Sequence, residues 1–216
     1  MTETFPIIAG IIAAMAHVVS GPDHLAAVAP FAVESKSRAW KIGITWGLGH
    51  LSGMLAIGLL MSLFKDLLPL TSISTHSELL VGYVLIGVGM WVMYKMLAEK
   101  YHLRQPHFHI FKHRHDQKGK MMASFSIGSL HGLAGVAHFI MFLPVLGFEN
   151  RFQSVTYIIG FAIGTIIAMT LFSQILGHFS KRYENMRWAS ANSLNHLRLL
   201  TGLIAVIVGC FWIFQN

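Results

Sequence analysis

Between Phe5 and Val33 the chain reads FPIIAGIIAAMAHVVSGPDHLAAVAPFAV, an apolar run interrupted near its middle by His17, Pro22, Asp23 and His24. A bilayer core of about 30 Å is crossed by about 20 apolar residues in a helix, so this run is long enough to span. At about 1.5 Å rise per residue, His17 lies roughly 18 Å from the start of the run, which is deep. Polar insertions are costly at that depth. A charge at mid-membrane costs about 2.5–3.5 kcal/mol on insertion scales. A proline inside a helix costs about 3 kcal/mol and frees a backbone carbonyl, here that of Val18. The stretch therefore reads as a broken transmembrane helix that presents ligands and a bare carbonyl to a cation. The bland alternative is a re-entrant turn with a solvated Asp–His pair.

The rest of the chain belongs to the same class. Of its 216 residues, 54% are hydrophobic and only 12% charged, whereas soluble domains carry about 25% charged residues. Five further apolar stretches follow, at Ile42–Phe64, Leu79–Ala98, Met122–Phe148, Val155–His178 and Leu199–Phe214. The first and fourth of the six exceed what a straight span requires, so both are expected to be tilted or broken. Only Thr2, Glu3 and Thr4 lie between Met1 and the first run. Without a basic n-region, a cleaved signal peptide is not expected. Cys210 is the single cysteine, which excludes an internal disulfide and a thiolate-rich metal site.

The net charge of +7 does not mark a nucleic-acid binder, because the charges fall in short segments between apolar runs. They are also asymmetric. Lys36, Arg38 and Lys41 lie between spans one and two, seven basic residues from Lys95 to Lys120 between three and four, and Lys181, Arg182, Arg187 and Arg198 between five and six; only Lys65 and Arg151 fall on the opposite side. By the positive-inside rule the basic loops are cytoplasmic and both termini extracytoplasmic. The expected location is a prokaryotic inner or plasma membrane.

The two halves echo each other. His17, Gly21, His24 and Pro30 recur as His131, Gly135, His138 and Pro144 at a constant offset of 114, and Gly82 and Gly89 recur as Gly202 and Gly209 at an offset of 120. Three spans per half is odd, so the second half enters the membrane from the other side. The expected fold is thus all-α and polytopic: six transmembrane helices in a 3+3 inverted repeat, the first and fourth broken, with a site where the halves meet at mid-depth. Residues 1–98 form the first repeat, 99–121 a basic histidine-rich cytoplasmic linker, and 122–216 the second repeat.

The second span adds His50, between Gly49 and Leu51, about 12 Å from its cytoplasmic end. In the fourth span, His131 and His138 are two helical turns apart and share a face, while Ala137 stands where the first half has Asp23. Each histidine alone also fits an interhelical hydrogen-bonding role. Together, five imidazoles and one carboxylate without thiolate make a borderline site suited to nickel, cobalt, zinc or copper(II) rather than magnesium or calcium. The candidate metal ligands are His17, Asp23, His24, His50, His131 and His138. The linker carries His102, His107, His109, His113 and His115, a weak metal-binding tract or simply a basic loop.

The string Asp23-His24-Leu25-Ala26-Ala27, with His17 before it and Gly49-His50 in the next span, resembles the metal-recognition motifs of the nickel/cobalt permeases (NiCoT). The six-span count resembles their shorter branch associated with urease and hydrogenase. The spacer between His17 and Asp23 is one residue longer than is typical there. The resemblance implies a permease in which His17, Asp23, His24 and His50 recognise the metal.

The function expected is secondary transport of a divalent transition metal, nickel or cobalt first and zinc next, with uptake slightly favoured over efflux. The metal is substrate; no prosthetic group is expected, nor an enzyme activity. The sequence contains no Gly-x-x-x-x-Gly-Lys motif for an ATPase of its own. Membrane lipid and a cytoplasmic metal acceptor complete the expected partners. Two rivals use the same histidines: a membrane cytochrome with bis-histidine haem, and a membrane metallohydrolase.

Overall fold

The computed structural model describes residues 5–64, 70–100, 116–133, 147–148, 150–185 and 193–215, and all its regular structure there is helical. In chain order the helices are α1 (Phe5–Ser20), α2 (Pro22–Ser35), α3 (Ala39–Phe64), α4 (Leu70–Lys100), α5 (Asp116–Leu133), α6 (Arg151–Glu184) and α7 (Ser193–Gln215), with a single 3₁₀ turn at Lys36–Arg38 joining α2 to α3.

Four helical stretches are long and apolar enough to cross a membrane: Pro22–Leu59, Glu78–Ala98, Arg151–Glu184 and Leu194–Gln215. Helix α1 is apolar but shorter. The outer surface matches this reading. Phe5, Ile12, Leu55, Ile175, Ile207 and Phe211 all point outward, far more apolar exposure than a water-soluble surface carries. The chain is an integral membrane protein whose described regular structure is all helical.

The break in the first apolar run lies at Gly21. Its φ of −92° and ψ of 95° are extended, and Pro22 opens α2, where its missing N–H and fixed φ are favourable. Proline here starts a helix instead of kinking one. The last turn of α1 is closed by the Gly21 amide, which donates to the His17 carbonyl at 3.0 Å. Helix α4 begins earlier than expected and runs to Lys100, and α5 begins at Asp116, within the segment expected to be linker.

Small residues set the helix pairings. A Cβ on Gly49 or Gly53 would run into the carbonyls of Phe125 and Ser129, and one on Gly128 or Gly132 into those of Trp46 and His50. Helices α3 and α5 are therefore in backbone contact and run parallel. Helices α1 and α6 pair the same way, with Gly10 against Tyr157 and Gly164 against Ile11. Helices α4 and α7 cross antiparallel, Gly82 against Gly209 and Gly89 against Gly202. Close backbone approach of this kind replaces the hydrophobic drive that a lipid solvent cannot supply. Helix α2 lies inside this frame, against α3, α6 and α7. Its buried face joins a core of Val18, Val28, Phe31, Ile42, Trp46 and Met169.

Candidate metal centre

Five of the six candidate ligands come together. His17 arrives in the last turn of α1, Asp23 and His24 in the first turn of α2, His50 at mid-length of α3, and His131 in the last turn of α5. The sixth, His138, lies outside the described residues, as do Gly135, Pro144 and the histidine tract of the linker.

Local structure explains the convergence. The extended Gly21 turns the chain so that His24 folds back beside His17, their ring centroids 4.7 Å apart and edge to face. Glycine leaves room for this fold-back, since a Cβ on Gly21 would displace the His24 imidazole. The glycines of the α3–α5 crossing then bring His50 and His131 within 5.9 Å, centroid to centroid. His24 is central: its ring lies 5.3 Å from His50 and 4.5 Å from His131.

Asp23 ties the cluster together. Its Oδ1 lies 3.0 Å from His24 Nδ1 and its Oδ2 lies 3.0 Å from His131 Nε2. The Asp23 side chain is only 8% exposed, so its carboxylate is held by two imidazole N–H donors in place of water. Asp23 also stands in the first turn of α2, where the helix dipole favours negative charge.

Two sets of ligand atoms lie within 4.8 Å of one another: His17, His24 and His50, and Asp23, His24 and His131. His24 belongs to both. When His24 donates from Nδ1 to Asp23, its Nε2 keeps the lone pair that a metal needs. This carboxylate–imidazole arrangement orients metal-binding histidines and raises their basicity.

A family model described as cytochrome c biogenesis protein transmembrane region matches residues 12–211. The chain belongs to that family. The match contains every residue of the cluster. Among curated proteins, the chain is 31% identical to the chloroplast protein FOR GROWTH AND FERTILITY 2 of Arabidopsis thaliana, over 95% of this chain and 57% of that protein. It is 30% identical to FOR GROWTH AND FERTILITY 1 of the same plant, over 84% of this chain and 54% of that one. The chain thus spans little more than half the length of these two relatives. It is 29% identical to the urease accessory protein UreH of Bacillus sp. (strain TB-90), over 95% of this chain and 89% of UreH. No solved structure matches the chain. The family name differs from the permease family that the motifs resemble, whereas UreH carries the urease association of its shorter branch.

Two buried residues, one beside the cluster and one away from it, carry no role in the sequence reading. Trp46 stacks on His50 at 4.9 Å and 14°, and its ring also lies 5.3 Å from His24 and 5.6 Å from His131. It forms one wall of the cluster, and its position one helical turn before His50 is the signal that could have found it. Glu34 directly follows the first apolar run, yet its side chain is only 2% exposed. It receives Lys95 of α4 at 2.9 Å, Lys120 of α5 at 3.2 Å and Arg198 of α7 at 3.8 Å.

Proposed function

We propose that the protein is a secondary transporter of a divalent transition-metal cation, nickel or cobalt foremost and zinc next. One observation carries the reading: four imidazoles and one carboxylate, from four helices, meet inside a bundle whose surroundings are apolar. Burying Asp23 and these histidines is costly, and a dication that gathers them offsets that cost. Imidazole donors without thiolate favour nickel, cobalt and zinc over magnesium and calcium. The likeness to a protein named for urease accessory function supports nickel, as does the resemblance of the Asp23-His24 motif to nickel/cobalt permeases.

In this reading His17, His24 and His50 bind the ion directly. Asp23 orients His24 and His131 and supplies the negative charge. The described helices fit six spans in this reading: α1 with α2 as the broken first, then α3, α4, α5, α6 and α7. The glycine contacts support a 3+3 inverted repeat. The offset of 120 exchanges Gly82 with Gly202 and Gly89 with Gly209, and under that exchange the contact Gly82–Gly209 becomes Gly89–Gly202, which also occurs. The parallel pairs α3–α5 and α1–α6 likewise exchange. Rocking of the halves about the cluster would open it to each side in turn, with the basic loops in the cytoplasm and uptake as the working direction.

The haem rival fits less well. His24 packs against both His17 and His50, at 4.7 and 5.3 Å, in the space where a macrocycle between those two rings would lie. The test is uptake into proteoliposomes offered nickel, cobalt, zinc and manganese, with wild type against Asp23→Asn. Metal-dependent uptake that the substitution lowers supports the reading. Equal uptake of every metal by both proteins ends the role of Asp23, and no uptake of any metal ends the transport reading.

A further inference from the structure

A second site lies away from the histidines, at the end of the bundle where α2 passes into α3 and α5 begins. A cavity of about 780 Å³ opens there between the 3₁₀ turn and the first turns of α5. Its walls carry five cations, and Glu34 is the only carboxylate among the described residues that line it. Glu34 cannot neutralise that excess, because Lys95, Lys120 and Arg198 already converge on it. Lys36 is paired with Glu184 at 2.6 Å. Arg38, Lys41 and Lys118 make no ion pair among the described residues.

Uncharged donors line the same space. Ser35 is only 7% exposed, and its Oγ has no hydrogen-bond partner among the described residues; the buried Nε2 of Gln117 has none either. Buried polar atoms of this kind normally find partners, so their place in a basic cavity marks a missing acceptor. The backbone adds a third sign. Lys36 has φ of 49°, a conformation uncommon outside glycine that persists only where its surroundings hold it.

We propose that this cavity binds a tetrahedral oxyanion of the phosphate type, free or as the headgroup of an anionic lipid. Arg38 offers a planar fork of donors that matches phosphate oxygens, and Lys41 and Lys118 act as point charges. Ser35 and Gln117 supply the neutral donors. Basic pockets between helices at a membrane surface recognise anionic headgroups by the same chemistry. The site does not depend on the metal reading, and its test does not use metal.

The test compares wild type, Arg38→Gln with Lys118→Gln, and Ser35→Ala. A control, Lys181→Gln with Arg182→Gln, removes the same charge from exposed positions on α6. Each protein is delipidated and placed in nanodiscs of phosphatidylcholine, with or without inorganic phosphate, or of phosphatidylcholine mixed with phosphatidylglycerol. The unfolding midpoint is then read. The site predicts an upward shift with at least one anion in wild type and the control, lost in the double variant and reduced in Ser35→Ala. A shift with phosphate alone identifies a free oxyanion site, and a shift only with phosphatidylglycerol identifies a headgroup site. No shift with either probe, or equal shifts in the double variant and the control, overturns the proposal.

Discussion

Asp23 reaches across the helix interface to His131, its Oδ2 3.0 Å from Nε2, and so links the first turn of α2 to the last turn of α5. The same carboxylate holds His24 through its other oxygen. Replacing Asp23 by asparagine keeps the shape and removes the charge that orients both rings. Outer-shell partners of this type contribute roughly 10–100-fold to metal affinity. Asp23→Asn is expected to weaken nickel binding by about that factor, read by calorimetry on purified protein, while the protein stays folded.

The imidazoles proposed to hold the ion directly should matter most. His50→Ala or His24→Ala is expected to abolish measurable nickel or cobalt binding, whereas His178→Ala, on the exposed face of α6, leaves it intact. Binding should also weaken on acidification, since each imidazole must be unprotonated to ligate. Equal affinity in His50→Ala and wild type would remove α3 from the site.

The glycines of the α3–α5 crossing leave no room for a Cβ. Gly132→Val places a branched side chain against the His50 carbonyl, and is expected to give a protein that is poorly inserted or aggregated in size-exclusion chromatography. Gly58→Ala, where nothing lies within 4 Å of the added methyl, is expected to behave as wild type.

The buried charge cluster gives a contrast in stability. Removing one partner of a buried ion pair costs about 3–5 kcal/mol, because the remaining charge is stranded. Glu34→Gln leaves Lys95, Lys120 and Arg198 without their shared counter-charge and should lower the unfolding midpoint clearly. Glu184→Gln breaks an exposed pair with Lys36 and should change stability by about 1 kcal/mol or less.

Purified protein reconstituted with haem available is expected to show no Soret band. Its appearance, lost in His24→Ala, would replace the transport reading with the cytochrome one.

The residues that were costly in hydrocarbon were the ones the sequence made visible. His17, Asp23, His24, His50 and His131 stood out because nothing apolar about their neighbours explains them, and four helices bring all five together. The break was legible from Gly21 and Pro22, but its form was not: the sequence places the proline inside a helix, and only the backbone shows that Pro22 begins a new one. Glu34 was harder. An acid at the end of a span looks solvated, and its burial depends on three cations contributed by helices distant in sequence. Trp46 was hidden for the opposite reason, since an aromatic residue in a membrane helix attracts no notice until its ring is seen against three imidazoles. The glycines of α4 and α7 showed their echo in the sequence, but their crosswise contacts required the fold.

Trp46 gives this cluster its own optical reporter. Its indole stands within 5.6 Å, ring to ring, of His24, His50 and His131, so an ion held there sits beside a fluorophore. Open-shell nickel or cobalt should quench that emission, and closed-shell zinc should leave most of it. Subtracting the signal of Trp46→Phe isolates this indole from the other four, and lets occupancy be followed in real time without a label.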